Sequence, residues 1–436
     1  MEGVPVWLFG PVWLASLGLA YALVRPVFGV TVFFGAVSTL YILLPVFFYR
    51  ADARFFSTLL LGCGLAIVGF WLGLTGTSGF REPRLGAPED IPLQARRTLH
   101  ASMVIVAVGA IGLAIVNPDF LSQVATYEGR VAFQVERGLE PFLLNQVVVG
   151  LGALVLLALE ERRWIVALCG SALGVGWALY SSHKLSLLTT LAAWFAWWTA
   201  GVWRGRRSMR TAWVGVMLLP LMLPILILYS FLRAGTVGGL AELVVMGLAS
   251  VDLLGDAGLM VGDFDGPYRV VLSTLEDDAG RTLFGWTYLS QILVLLPRAF
   301  RGGFEDLAEE YARLRLGSAW QPGLGFAFSP WAEGVLNFGV PGFLVEGALF
   351  GLLVAALIRV GRDTFGSGSL VLYCLVPQIV LFQRGYLIGV VKNVIVYVAP
   401  FASVWLALGW FGSVVSSAKR PSEPGPPATK FLVDRP

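Results

Sequence analysis

The sequence is a succession of apolar runs, each about as long as a membrane-spanning helix. Of its 436 residues, 57% are hydrophobic and only 14% are charged. A soluble globular chain carries about a quarter charged residues. Because a helix needs about 20 apolar residues to cross a bilayer, the runs predict an all-α, polytopic membrane protein with about 11–12 transmembrane helices.

Eleven of these runs have clear boundaries in the sequence. They are Pro5–Val24, Pro26–Tyr49, Phe55–Thr75, Leu99–Val116, Phe142–Leu159, Trp164–Tyr180, Leu185–Trp203, Thr211–Leu232, Val340–Ile358, Leu370–Gly389 and Val391–Phe411. Residues 1–415 are therefore predicted to form one transmembrane domain that includes a long loop at 234–324. The proline-rich, polar tail at 416–436 is predicted to be disordered and cytoplasmic.

Basic residues in the short loops predict the orientation, because loops rich in Lys and Arg remain cytoplasmic. The segment from Arg204 to Arg210 contains four arginines and joins the seventh and eighth runs. With this loop inside, the long loop at 234–324 lies outside the cell. The loop with Arg50 and Arg54 also falls outside, so the rule orients the second half of the chain better than the first.

Residues 323–351, GLGFAFSPWAEGVLNFGVPGFLVEGALFG, place polar side chains inside apolar sequence. Glu333 and Asn337 are four residues apart, so a helix presents both on one face. Gly339 and Pro341 then interrupt the pattern before the ninth run. We expect a short helix that dips into the membrane surface, followed by a full span. The alternative is a bundle-core helix in which both polar groups are simply satisfied.

The aromatic neighbours of Glu333 bear on its protonation. Burial among them predicts a pKa raised toward neutrality, which suits a general base. A nearby cation, Arg298 or Arg384, would instead hold the carboxyl ionised. His183 is a second candidate base, although one loop histidine is weak grounds for catalysis.

Four cations lie at or near the predicted outer ends of the runs: Lys184, Arg233, Arg384 and Lys392. A fifth, Arg298, lies near the end of the semi-apolar segment Gly285–Phe300 of the long loop, which is predicted to be an interfacial or re-entrant helix. A charge in a membrane costs at least about 2.5 kcal/mol, so several on one side predict a site for a multiply charged anion. The arginine fork matches a diphosphate in a bidentate manner. The alternative is that the two lysines extend to lipid headgroups.

The remaining composition argues against a metal, a cofactor and nucleic acid as ligands. The chain contains two histidines, and its three cysteines all lie inside apolar runs. The acidic run Glu276–Asp278 could bind a divalent cation, but it is typical of a solvated turn. A net charge of +3 is too small to indicate a nucleic-acid partner.

Four pieces of the second half resemble the Wzy-type polymerases of O-antigen and exopolysaccharide repeat units. In chain order they are SSHKLSLL, YSFLRAG, GWTYLSQILVLLPRAF and SPWAEGVLNFGVPGFLVEGALFG, the last followed by VLFQRG. Two departures are Lys184, where the family often has arginine, and the lack of a Lys-Pro step after LLPRAF.

The resemblance implies a GT-C-like fold and a metal-independent membrane glycosyltransferase. Its substrate would be an oligosaccharide linked to undecaprenyl diphosphate, at the periplasmic face of the bacterial cytoplasmic membrane. A flippase and a chain-length regulator would be partners. An O-antigen ligase-like transferase and a transporter of lipid-linked sugars are the alternatives. A transporter places its polar site near the midplane, whereas the candidates here cluster near one face.

Overall fold

The computed structural model describes residues 26–42, 53–76, 91–125, 139–181, 184–203, 266–276, 283–296, 300, 307–317, 328–365 and 368–418. Every regular element in this part of the chain is helical. The elements are α1 Pro26–Ile42, α2 Ala53–Gly76, α3 Ile91–Val116, α4 Phe120–Ala125, α5 Leu139–Glu160, α6 Trp164–Ser181, α7 Lys184–Trp203, α8 Trp286–Gln291, α9 Leu307–Leu316, α10 Pro330–Phe338, α11 Gly342–Phe365, α12 Gly368–Phe382, α13 Leu387–Asn393 and α14 Ala399–Ala418. Residues 266–276 are also helical.

Five helical stretches in the described residues are long and apolar enough to cross a membrane. They are Phe55–Gly76, Ala95–Val116, Leu139–Glu160, Gly342–Gly361 and Leu387–Phe411. The all-α class is therefore confirmed for the described residues, which include five helices that could span a membrane. The predicted runs Pro5–Val24 and Thr211–Leu232 lie outside the described residues, so the total of about 11–12 spans stays a prediction.

α2 and α11 pack closely along each other at glycines. A Cβ on Gly69 would overlap the carbonyl oxygen of Leu344, and one on Gly347 would overlap that of Ala66. Small residues allow membrane helices to approach until their backbones touch. The two helices therefore form one tightly packed pair.

Aromatic rings fill the space between α1, α2, α10, α11 and α12. Phe34 stacks on Phe70 with 4.0 Å between ring centroids, and Phe350 stacks on Phe382 at 3.9 Å. Trp331 of α10 packs edge-on against Phe382 at 5.5 Å. All of these side chains are buried. This aromatic cluster packs against α10 and holds it against the longer helices.

The break between the last two runs lies earlier than the sequence predicted. The predicted runs were Leu370–Gly389 and Val391–Phe411, whereas α12 ends at Phe382 and a new helix begins at Leu387. The backbone N–H groups of residues 383, 384 and 385 each donate to a carbonyl three residues back, which tightens the last turn and ends α12. Hydropathy does not detect this break, because apolar residues flank it on both sides.

A π-helical segment, Val394–Val398, joins α13 to α14. Wide helical turns of this kind leave backbone carbonyls partly unpaired. The side-chain amide of Gln146 on α5 donates to the Val396 carbonyl over 2.8 Å. The helix then continues to Ala418, three residues beyond the predicted end of the domain at 415.

Candidate functional site

Local sequence signals set both ends of α10. The Ser329 hydroxyl accepts a hydrogen bond from the Trp331 N–H at 3.3 Å, and Pro330 occupies the first turn, where its missing donor is harmless. Gly339 ends the helix with a φ of 67°, a conformation that favours glycine. Glu333 and Asn337 lie on one face of α10, as predicted, and both are fully buried.

A short segment before α8 satisfies the carboxyl end of α10. The N–H groups of Leu283 and Phe284 donate to the carbonyls of Leu336 and Asn337 at 2.9 and 3.1 Å. The Gly285 N–H donates to the Asn337 side-chain oxygen at 3.0 Å. The last carbonyls of a helix have no partner within the helix, so this segment supplies the donors they need. It also seats α8 directly against the polar face of α10.

Glu333 connects three helices through its two carboxylate oxygens. Oε1 accepts from the Thr287 hydroxyl of α8 at 3.0 Å, and Oε2 accepts from the Leu387 N–H of α13 at 3.2 Å. The Asn337 amide donates to the Thr287 oxygen at 2.6 Å and to the Glu333 carbonyl at 2.8 Å. Glu333 is therefore held in a fixed orientation by neutral donors.

Burial raises the pKa of Glu333 from its ordinary value of 4.5 to about 7. The hydrogen bonds from Leu387 and Thr287 oppose this rise, because they stabilise the ionised carboxylate. The prediction of a pKa near neutrality is thus confirmed. A group with this pKa can both accept and release a proton near pH 7.

A second buried acid, Glu346, stands beside this network. Its Oε1 accepts from the Tyr288 hydroxyl at 2.6 Å, and a Cβ on Gly334 would lie 2.8 Å from its Cγ. Its Oε2 is buried and has no hydrogen-bond partner. Burial is the main cause that raises the pKa of the Tyr288 phenol above its ordinary range.

Sequence reasoning missed Glu346, although a signal for it was present. The residue lies in the same 323–351 stretch, and an acid inside an apolar span is by default a functional candidate. It also missed Thr287 and Tyr288, whose importance depends on contacts with residues 46 and 58 positions away.

The structure brings one of the predicted cations to the edge of this site. Arg384 lies half-buried in the turn between α12 and α13, three residues before Leu387, whose N–H contacts Glu333. It was predicted to lie within a span, and it lies instead after the end of α12. Lys392 is half-buried on α13, and Lys184 begins α7. His183, Arg233 and Arg298 lie outside the described residues.

Gln383 anchors the same turn to the bundle. Its side-chain oxygen accepts from the Trp331 indole N–H at 3.0 Å, and its amide donates to the Ser38 hydroxyl at 3.0 Å. The residue is fully buried. It therefore ties α10 and the Arg384 turn to α1, and this polar link was also not predicted from sequence.

Within the described part of the chain, no three His, Cys, Asp or Glu side chains gather as a protein metal site requires. Comparison with protein-family models, with curated proteins and with solved structures finds no significant match.

Proposed function

We propose that the protein is a membrane glycosyltransferase that polymerises oligosaccharide repeat units carried on undecaprenyl diphosphate. The reaction takes place at the outer face of the bacterial cytoplasmic membrane. The observation that carries the proposal concerns Glu333. Burial raises the pKa of this carboxyl to about 7, and it accepts a hydrogen bond from the Leu387 N–H, three residues after Arg384. A base and a cation in neighbouring elements match the two needs of glycosyl transfer from a lipid diphosphate.

The chemical step has one nucleophile and one leaving group. A hydroxyl of the acceptor sugar attacks the anomeric carbon of the donor, and the bond from that carbon to the diphosphate oxygen breaks. The electron pair leaves with the diphosphate, and the hydroxyl proton passes to Glu333. General-base assistance of this kind contributes about 10²–10⁴-fold to rate.

The diphosphate develops negative charge as it leaves, and fixed cations stabilise such charge most effectively. We assign this role to Arg384, with Lys184, Arg233, Arg298 and Lys392 as further members of the clamp. Asn337 acts by orienting Glu333 and Thr287, because its amide contacts both. His183 remains the alternative base.

The outer surface of α8 and its continuation suits the lipid part of the substrate. Large apolar side chains are exposed there, namely Phe284, Trp286, Leu289, Ile292, Leu293, Leu296 and Phe300. Soluble proteins rarely expose so continuous an apolar surface. Such a surface can contact polyprenyl and acyl chains while the opposite side of α8 contacts the two glutamates.

The direct test uses purified protein in lipid nanodiscs with an undecaprenyl-diphosphate-linked repeat unit. Wild-type protein should form polymer, and Glu333→Gln should bind the lipid with similar affinity but polymerise at least about 100-fold more slowly. Glu310→Gln, at an exposed position on α9, serves as the matched control. Polymerisation by Glu333→Gln near the wild-type rate would remove Glu333 from the mechanism.

The same preparation separates the alternative functions. An O-antigen ligase-like enzyme would move a preformed glycan to a different acceptor and would not extend the repeat unit. A transporter would move labelled lipid-linked sugar across a vesicle bilayer without forming a glycosidic bond. Polymer that appears without any added flippase or chain-length regulator would assign the transfer step to this chain alone.

A further inference from the structure

The proposed mechanism does not determine whether the Glu346 carboxyl is ionised or neutral. Its carboxyl is completely buried, and only Oε1 has a hydrogen-bond donor, the Tyr288 hydroxyl. An ionised carboxylate with one bare oxygen in such a place is strongly disfavoured. The neutral acid leaves only an unpaired carbonyl oxygen, which is far less costly.

The surroundings of Glu346 come from several elements. α2, α10, α12 and α13 pack against α11, and α8 reaches it through Tyr288. Among the side chains that the structure describes, the titratable or charged groups on these elements are Cys63 on α2, Tyr288 on α8, Glu333 on α10, Tyr373 and Cys374 on α12, and Lys392 on α13. Tyr288 and Glu333 interact with Glu346, and Glu333 adds a like charge.

The two glutamates differ in how well each can carry a negative charge. The carboxylate of Glu333 receives two donors, the Thr287 hydroxyl and the Leu387 N–H. The carboxyl of Glu346 receives one. Two neighbouring carboxyls in a buried site do not both ionise, and the charge resides on the one with more hydrogen bonds.

We propose that Glu346 is held as a neutral acid. The two glutamates together then carry one negative charge, and it resides on Glu333. Glu346 is thus a positioning residue for Glu333 and not the base itself. Its proton keeps a second charge out of the site, so that Glu333 stays available for the acceptor hydroxyl. Only this last role rests on the proposed function, since the protonation of Glu346 is a property of the resting protein.

Infrared spectroscopy of the protein in lipid tests the proposal without any activity assay. At about pH 8, above the pKa of Glu333, wild-type protein should show the C=O stretching band of a protonated carboxyl. Glu346→Gln should remove this band, whereas Glu333→Gln and the exposed control Glu310→Gln should retain it. A band that survives Glu346→Gln, or that disappears in Glu333→Gln, would overturn the assignment.

Tyr288→Phe provides a second measurement that does not require replacing Glu346. This variant removes the one hydrogen bond to the Glu346 carboxyl, so the band should move to higher frequency and keep its intensity. An unchanged frequency in a folded variant would show that the protonated carboxyl is not Glu346. Glycan polymerisation measured on the same samples separates a failure of the proposed enzyme from a failure of the proton assignment.

Discussion

Replacing Glu333 with glutamine should change how the stability of the protein depends on pH. The pKa of Glu333 is raised from 4.5 to about 7 in the folded protein, so the folded state holds this proton more tightly than the unfolded state. The contribution of Glu333 to stability is therefore fully present below about pH 4.5. It is lost as the pH rises from about 4.5 through about 7, because the unfolded state releases the proton in this range while the buried carboxyl still holds it.

The size of this change follows from the two pKa values. Each pH unit between them corresponds to about 1.4 kcal/mol, so ionisation of Glu333 lowers the free energy of unfolding by about 3 kcal/mol. Glutamine cannot ionise, but its single amide oxygen accepts from Thr287 or Leu387 and not from both. The lost bond should lower the stability of Glu333→Gln by about 1–3 kcal/mol at every pH. The variant should therefore be less stable than wild type in acid and about equally stable above neutrality.

The free energy of unfolding in mixed detergent micelles, titrated with a denaturing detergent, measures this directly. Wild type, Glu333→Gln and the exposed control Glu310→Gln would be compared from about pH 4.5 to about pH 8. The control should follow wild type throughout. If the curves of wild type and Glu333→Gln run parallel, the carboxyl ionises equally in both states and the argument from burial is wrong.

Two other substitutions test the frame of the site and its charge. Gly342→Ala should prevent correct folding, because its Cβ would overlap the Gly334 backbone. Gly64→Ala should be neutral or stabilising by up to about 1 kcal/mol, because a Cβ there meets nothing within 4 Å. Thermal unfolding of both variants tests this, and a wild-type melting temperature for Gly342→Ala would contradict the close approach. Arg384→Ala should slow polymer formation by about 10–150-fold while the protein still folds, because one charge-assisted contact to the diphosphate is worth about 1.5–3 kcal/mol. The exposed Arg359→Ala should leave polymerisation unchanged, and a normal rate for Arg384→Ala would exclude this residue from the clamp.

The class of fold and the polar face of α10 were predictable because they depend on local patterns. Apolar length indicates helical spans, and four-residue spacing places Glu333 with Asn337. The turn before Leu387 was misplaced by hydropathy, since Gln383 and Arg384 stand between apolar neighbours. The side chain of Gln383 is hydrogen-bonded to Ser38, which lies 345 residues away in the sequence.

The partners of the two glutamates show the same limit of sequence reasoning. The sequence predicted an interfacial or re-entrant helix at Gly285–Phe300, but neither its contact with α10 nor the two consecutive hydroxyls that each contact a different acid. Thr287 contacts Glu333 and Tyr288 contacts Glu346. Such pairings arise from how helices dock, and one sequence contains no periodicity that encodes them.

The glycine contacts between α2 and α11 determine which side of the site can open. Backbones that already touch cannot slide or separate without losing contact along much of their length, so α11 and Glu346 move only together with α2. α8 is six residues long, and its Thr287 is hydrogen-bonded to Glu333 and Asn337 of α10. Glu333 is fully buried, so the proposed transfer would need α8 to move away from the glutamates while α2 and α11 keep their contact. Under the proposed function, we expect substitutions that loosen α8 to change the rate of substrate entry, and substitutions of the glycines to impair folding.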